Sequence, residues 1–364
     1  MSEQTAPVPG SDGTDRPAGS PLLSLPGAVP ADGPDTGVAS HYGDPVAEQR
    51  ALTNGVGFVD RSHRPVVEVG GADRLSWLHD ITSQHLSGLA DGQGTEALVL
   101  SPHGHVEHHL QIAELGGSTW LDLEPGTGVG LLAYLESMRF LLRVTPRDAS
   151  AEWTVVSLVG PGTGQTLSAL GVTEPIGSTG STGPNAVASL AGGGWVRRMS
   201  WPGDDAADLM VPRGLLPQVA ERLCAAGASP AGTWAFEALR VQSRRPRLGL
   251  ETDHRTIPHE VGWIGVAVHL NKGCYRGQET VARVQNLGRP PRRMVLLHLD
   301  GSENTLPGHG DPVTLDGRQV GFVGTAVRHH ELGPVALALV KRNTPDEAVL
   351  SAGGVPASID TGEE

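Results

Sequence analysis

Residues 271–279 read NKGCYRGQE and hold Cys274, one of only two cysteines in a chain of 364 residues. Gly273 and Gly277 bracket the thiol. Glycines there permit positive φ or close backbone approach, and the amides between them can form an anion-binding nest. Lys272 precedes Cys274 and Arg276 follows it at a distance of two. An unperturbed thiol, with a pKa of about 8.5, is only a few per cent thiolate at pH 7, and adjacent cations lower that pKa. Such a Cys274 acts as a nucleophile or a soft metal ligand. On these residues alone, a cysteine that merely fits a crowded turn is an equal reading.

A second group of reactive residues sits in HGHVEHHL, within the segment HVEHHLQIAEL that reads as a strand joined at SPHG to the strand TEALVLS. Alternation puts Val106, His108, Leu110 and Ile112 on one face. His108 is the lone polar residue in that row and is expected to point into a pocket. The other face carries His105, Glu107 and His109, with His103 at the turn. These are metal-ligand residue types, but surface histidines on a strand give the same pattern, and no metal site is assigned.

The frame that positions these groups can be read in outline. Residues 1–40 are rich in Pro, Gly, Ser and Asp without apolar periodicity and are expected to form a disordered tail. A first α/β domain is expected over 41–150. It contains the amphipathic helix of ADRLSWLHDITSQHL, with Leu75, Leu78 and Ile81 on one face. A second α/β domain is expected over 151–290, ending in the KGCYRGQE loop, and the two domains can interleave. There GPGTGQTLSAL lacks the Lys-Ser/Thr of a Walker loop and reads as the start of a helix. GSTGSTGPN (177–185) is a low-complexity surface loop, and LLPQVAERLCAAG is a helix with Cys224 as a core residue. From 291 to 364, short strands with a hairpin at Asp316-Gly317 suggest a β-barrel.

The totals exclude several classes. Lys and Arg number 27 against 40 Asp and Glu, giving a net charge of −13. That balance disfavours adsorption to nucleic acid or anionic lipid. The basic runs Arg244, Arg245, Arg247 and Arg289, Arg292, Arg293 lack interleaved aromatics, so nucleic acid is not an expected partner. No stretch approaches the roughly 18 apolar residues of a membrane span, and the polar N-terminus has no secretory signal. A cytoplasmic protein is expected.

Two longer stretches, RPRLGLETDHRTIPHE and NKGCYRGQETVARVQNLG, closely resemble the signature of the YgfZ family of folate-binding proteins. Those proteins support iron–sulfur enzymes and are relatives of the glycine-cleavage aminomethyltransferase, the T-protein. The resemblance implies an α+β fold: two ferredoxin-like α/β domains and a C-terminal β-barrel in a ring around a central folate channel. It implies tetrahydrofolate as the cofactor. It also makes Cys274 and Lys272 catalytic candidates, with Tyr275, Gln278 and Glu279 as folate contacts from the same loop.

Further correspondences are weaker. SWPGDDAADLMVP resembles the relatives' YTGEDGFEI turn, with Trp201 for the tyrosine and Asp204 for the pterin-binding glutamate. Arg240 stands where the relatives have an arginine beside folate. His108 and His109 stand where the relatives have paired acids. A histidine cannot pair as a carboxylate does with a developing cation, so glycine-cleavage aminomethyl transfer is not the expected activity. The resulting reading is a tetrahydrofolate-binding accessory protein for iron–sulfur cluster assembly or repair, with iron–sulfur client or assembly proteins as partners. The alternative is a folate-dependent one-carbon transferase or demethylase acting on an amine, with His108 as base.

Overall fold

The computed structural model describes residues 19–172, 185–202, 205–302 and 304–362. The first 18 residues of the expected tail, residues 177–184 of the expected loop and Asp204 lie outside the described residues. Residues 19–40 do not form a disordered tail. Strands β1 (Val29–Pro30) and β2 (Ala39–His41) pair antiparallel, and Leu22 and Val38 are buried. Asp35 reaches His63 at 3.0 Å and Arg247 at 2.8 Å. Two apolar anchors and one half-buried acid tie down a segment whose composition alone looks unstructured. Helix α1 (Pro45–Asn54) then starts on Asp44, whose carboxylate accepts the Val46 and Ala47 N–H groups, with proline at the first helical position. Strand β3 (Gly57–Asp60) follows.

The next elements are β4 (Val66–Gly70), α2 (Arg74–Ile81), β5 (Gln93–Leu100), β6 (Val106–Leu115), β7 (Ser118–Asp122), α3 (Gly128–Ser137) and β8 (Thr145–Asp148). They build an antiparallel five-stranded sheet in the order β5-β6-β7-β4-β8. Helices α2 and α3 close one face over Val67, Leu78, Val99, Leu110, Leu131 and Leu135.

The second sheet uses β9 (Trp153–Val159), β10 (Val187–Ser189), β11 (Trp195–Met199), β12 (Ala206–Pro212) and β13 (Ser229–Ala231), with helices α4 (Thr163–Ala169), α5 (Leu216–Ala225) and α6 (Thr233–Gln242). Its order is β10-β11-β12-β9-β3-β13. Strand β3 therefore leaves the expected 41–150 domain and pairs with β9, and helix α1 packs beside it through Leu52 and Phe236. The expected boundary at residue 150 divides the sequence but not the structure. Cys224 is exposed and not a core residue, because α5 buries Leu216, Val219, Ala220 and Leu223 and turns its next position outward.

After α6 the chain runs with little regular structure to α7 (Gln278–Leu287). Trp263, Val268 and Tyr275 from this run pack against Leu98 and Leu100 of β5, which fixes the NKGCYRGQE loop to the first sheet. Strands β14 (Arg292–Leu299), β15 (Pro312–Leu315), β16 (Arg318–His329), β17 (Gly333–Lys341), β18 (Val349–Ala352) and β19 (Val355–Ile359) form a closed barrel. Asp316 and Gly317 both take positive φ in its β15–β16 hairpin, as an Asp-Gly turn does. Among the described residues no helix is long and apolar enough to cross a membrane.

Candidate functional site

A cleft with about 540 Å³ of empty space, counting its open mouth, lies where the two sheets face each other. The β3–β4 crossover contributes Arg61 and Arg64, and the first sheet contributes Glu96, His109, Gln111 and Asp122. The second sheet and the residues after α6 supply Trp201, Asp208, Arg245 and Arg247, and Asn185 stands at the edge. Most of these charges neutralise one another. Arg64 binds Asp122 at 3.1 Å and Glu124 at 2.6 Å. Arg197, 1 % exposed, joins Asp122 of the first sheet to Asp208 of the second at 2.7 Å each. Removing one member of such a buried pair typically destabilises by about 3–5 kcal/mol.

Glu96 is the carboxylate on the first-sheet wall. His109 Nε2 lies 2.8 Å away and Arg245 2.5 Å away. Burial would raise the Glu96 carboxyl, but the His109 hydrogen bond and the His109 and Arg245 charges outweigh it and hold it at about 2. The ring of His109 also packs 4.8 Å from Trp263.

His108 does not point into this cleft. It shares its side of β6 with Leu110 and Ile112, which face α2 and α3, and its ring stands against Gly130 of α3. Its Nδ1 is buried without a partner, and burial pushes its pKa down to about 4. The expected row is also broken. The β5–β6 register shifts between Val99 and Leu100, so Val106 packs with Leu98 and Leu100 instead. A bulge of this kind places two residues of one strand opposite one of the other.

Arg240 lines the cleft but its donors are engaged. They reach Glu237 at 2.8 Å, Glu251 at 3.0 Å and Thr325 at 2.6 Å, in a side chain 1 % exposed. It ties α6 to the barrel and offers nothing to a ligand. The expected basic runs are likewise largely paired: Arg244 with Asp360, Arg292 with Asp253 and Glu260, and Arg293 with Asp346. Trp201 does line the cleft, 5.0 Å from the Phe236 ring.

The Cys274 loop lies apart from the cleft-lining residues, with its thiol exposed. Lys272 is turned inward and its ammonium donates to the carbonyls of His79, Thr82 and Gln84. All three donors of an ammonium are thus used, on carbonyls at and just beyond the C-terminal end of α2, where a cation is favoured. Burial pushes its pKa down to about 8. Arg276 binds Glu107 at 3.0 Å. Neither flanking cation is left to attend the thiol, and Lys272 anchors the loop. Tyr275 is buried under the Lys272 ammonium, 5.0 Å from ring to nitrogen. Gln278 reaches back to the Lys272 carbonyl at 3.5 Å, and Glu279 is exposed in the first turn of α7. None of the three lines the cleft. Gly277 takes φ +83°, and a Cβ there would meet Ser101 O at 2.6 Å. The loop therefore packs its backbone against the β5–β6 turn, which requires glycine.

The four residues of the expected metal-ligand face diverge: Glu107 goes to Arg276, His109 to Glu96, and the His103 and His105 rings stand 6.1 Å apart. Among the described residues no three His, Cys, Asp or Glu side chains are placed to hold a metal ion. Sequence reading missed Glu96, the cleft-facing role of His109, and Arg61, Arg64 and Asn185. One signal was present for Glu96: an acid in the otherwise apolar run TEALVL.

Residues 39–272 match the family model described as the GCVT N-terminal domain. The chain is 27% identical over 292 residues to a putative chloroplastic transferase of Arabidopsis thaliana, covering 79% of this chain and 65% of that protein. It is 28% identical over 309 residues to an aminomethyltransferase of Herpetosiphon aurantiacus, covering 82% of each. The fold is that of the glycine cleavage system aminomethyltransferase T from Bartonella henselae. The TM-score is 0.80 at 18% identity, over 93% of this chain and 95% of that one. With more than half its length matched by the family model, this chain belongs to the GCVT N-terminal domain family.

Proposed function

We propose that the cleft binds reduced folate and that the protein supports iron–sulfur cluster assembly or repair in the cytoplasm, as the YgfZ proteins that its Cys274 loop resembles do. The observation that carries the folate reading is the buried carboxylate of Glu96, in a cleft that also offers Gln111, Asn185 and the Trp201 ring. A pterin presents N–H donors and acceptors along one edge, which suits a carboxylate beside side-chain amides, and its flat rings suit an aromatic face. Glu96 already holds His109 and Arg245, but a carboxylate has about four acceptor sites. Trp201 and Asp204 are the further pterin contacts that the resemblance supports. Reduced folate, when bound, supplies a nitrogen able to carry one-carbon units. The exposed Cys274 is the functional thiol, available to a client protein from outside the cleft. An anaerobic calorimetric titration with tetrahydrofolate tests the binding, and complementation of iron–sulfur enzyme activity by Cys274→Ala tests the thiol.

A second reading, a folate-dependent transferase or demethylase acting on an amine, is favoured by the His109–Glu96 pair. A histidine oriented by a buried carboxylate is an arrangement suited to proton transfer. The base role expected of His108 falls to His109, and Glu96 brings from the neighbouring strand a carboxylate to the cleft, where β6 places none of its own. The names of the relatives point the same way. Conversion of tetrahydrofolate to its methylene form with sarcosine, glycine or dimethylglycine distinguishes this activity from binding alone.

A further inference from the structure

Arg61 differs from every other arginine of the cleft. Arg64, Arg240, Arg245 and Arg247 each hold at least one carboxylate within 3.1 Å. Arg61 is 8 % exposed, lines the cleft and, among the described residues, has neither an ion pair nor a side-chain hydrogen bond. The Phe236 ring lies 4.4 Å from its guanidinium carbon. Stacking fixes the plane of the group but satisfies none of its five N–H donors. A buried ion without a partner costs several kcal/mol, and such groups concentrate where a ligand completes the site. Burial and the neighbouring Arg64 push its pKa down to about 10, against the longer-range pull of the Glu124 and Asp208 carboxylates, which leaves it charged at neutral pH.

The position follows from the fold. Arg61 comes directly after β3, where the chain crosses from the second sheet to the first, so its side chain emerges between the two walls. Trp201 packs on the same Phe236 ring, which places the cation beside the aromatic that the folate reading uses.

We propose that Arg61 is the receptor for a carboxylate of the bound ligand, filling the role that sequence comparison gave to Arg240. The inference rests on the cleft being a ligand site. The carboxylate comes either from the glutamyl tail of a folate or from an amino-acid substrate, and a guanidinium fork suits both.

The test is calorimetric titration of the full chain and of Arg61→Met with three probes: tetrahydrofolate, sarcosine, and 6-methyltetrahydropterin, which has the ring system but no carboxylate. Arg61→Met weakens tetrahydrofolate or sarcosine by about ten- to a hundred-fold, the range of one charged hydrogen-bonded pair. It leaves the tetrahydropterin within about twofold. Without ligand, Arg61→Met melts at or above the wild-type temperature, because an unpaired buried cation has been removed. Dependence seen with tetrahydrofolate identifies the glutamyl tail, and dependence seen with sarcosine identifies an amino acid. The inference is overturned by unchanged affinity for both carboxylate probes, by an equal loss for the tetrahydropterin, by failure of both carboxylate probes to bind the wild type, or by a melting temperature several degrees lower. If neither tetrahydrofolate nor the tetrahydropterin binds the wild type but sarcosine binds through Arg61, the folate reading fails and this inference stands.

Discussion

Glu96 on β5 contacts His109 on β6 diagonally. Across the ladder Glu96 pairs with Gln111 and Leu98 with His109, yet the Glu96 carboxylate lies 2.8 Å from His109 Nε2. Diagonal neighbours in an antiparallel pair are within reach of long and ring side chains. The contact, with Arg245 from beyond α6, joins the first sheet to the second-sheet side of the cleft.

Substituting Glu96→Gln leaves Arg245 without its charge partner and is expected to destabilise the fold by about 3 kcal/mol and to weaken reduced-folate binding at least about ten-fold. The Glu96 carboxyl sits at about 2 against 4.5 for the free group. A depressed carboxyl contributes stability above its unfolded pKa, and that contribution is lost as pH falls from about 4.5 toward 2. Urea melts across this range should show the acid slope in the wild type and a shallower one in the variant.

His108 has the same direction of pH dependence from the opposite kind of group. Its folded pKa is about 4 against 6.5, so the unfolded chain binds the proton first and stability falls as pH drops from about 6.5 to 4. His108→Leu removes both the titration and the unpartnered Nδ1. It should equal or exceed the wild type at pH 8 in urea melts and exceed it by more at pH 5. A variant that loses stability at both values would contradict the placement of His108.

Lys272→Met orphans three carbonyls at the end of α2 and should cost about 2–3 kcal/mol of local stability. Faster amide exchange in residues 79–86 and faster labelling of Cys274 are the expected signatures.

Cys274→Ala, at an exposed position, should change folding stability by no more than about 0.5 kcal/mol. It should also abolish support of iron–sulfur enzymes in cells lacking the native protein. Full enzyme activity in those cells would remove the thiol from the proposal.

The sequence showed the elements and the tight Cys274 loop because both are local. Helical spacing marked α2, the Asp-Gly pair marked the barrel hairpin, and paired glycines marked the tight packing at Gly277. It misdirected where burial depends on partners far along the chain. Alternation on β6 separated His108 from His109, but only the packing of α3 decides which face meets the cleft. The Glu237–Arg240 pair was legible from helical spacing, but the further partners of Arg240, Glu251 and Thr325, and the α2 carbonyls that hold Lys272 lie outside any local pattern. Residues 19–40 looked unstructured because the partners of Asp35, His63 and Arg247, lie in two other segments.

Anaerobic titration of the purified, untagged chain with tetrahydrofolate, repeated with Glu96→Gln, addresses the cleft directly. The expected result is saturable one-to-one binding to the wild type that falls at least about ten-fold in the variant. Absence of binding, or equal affinity in the two proteins, would mean that the cleft is not the folate site and that only the fold is shared with the aminomethyltransferases.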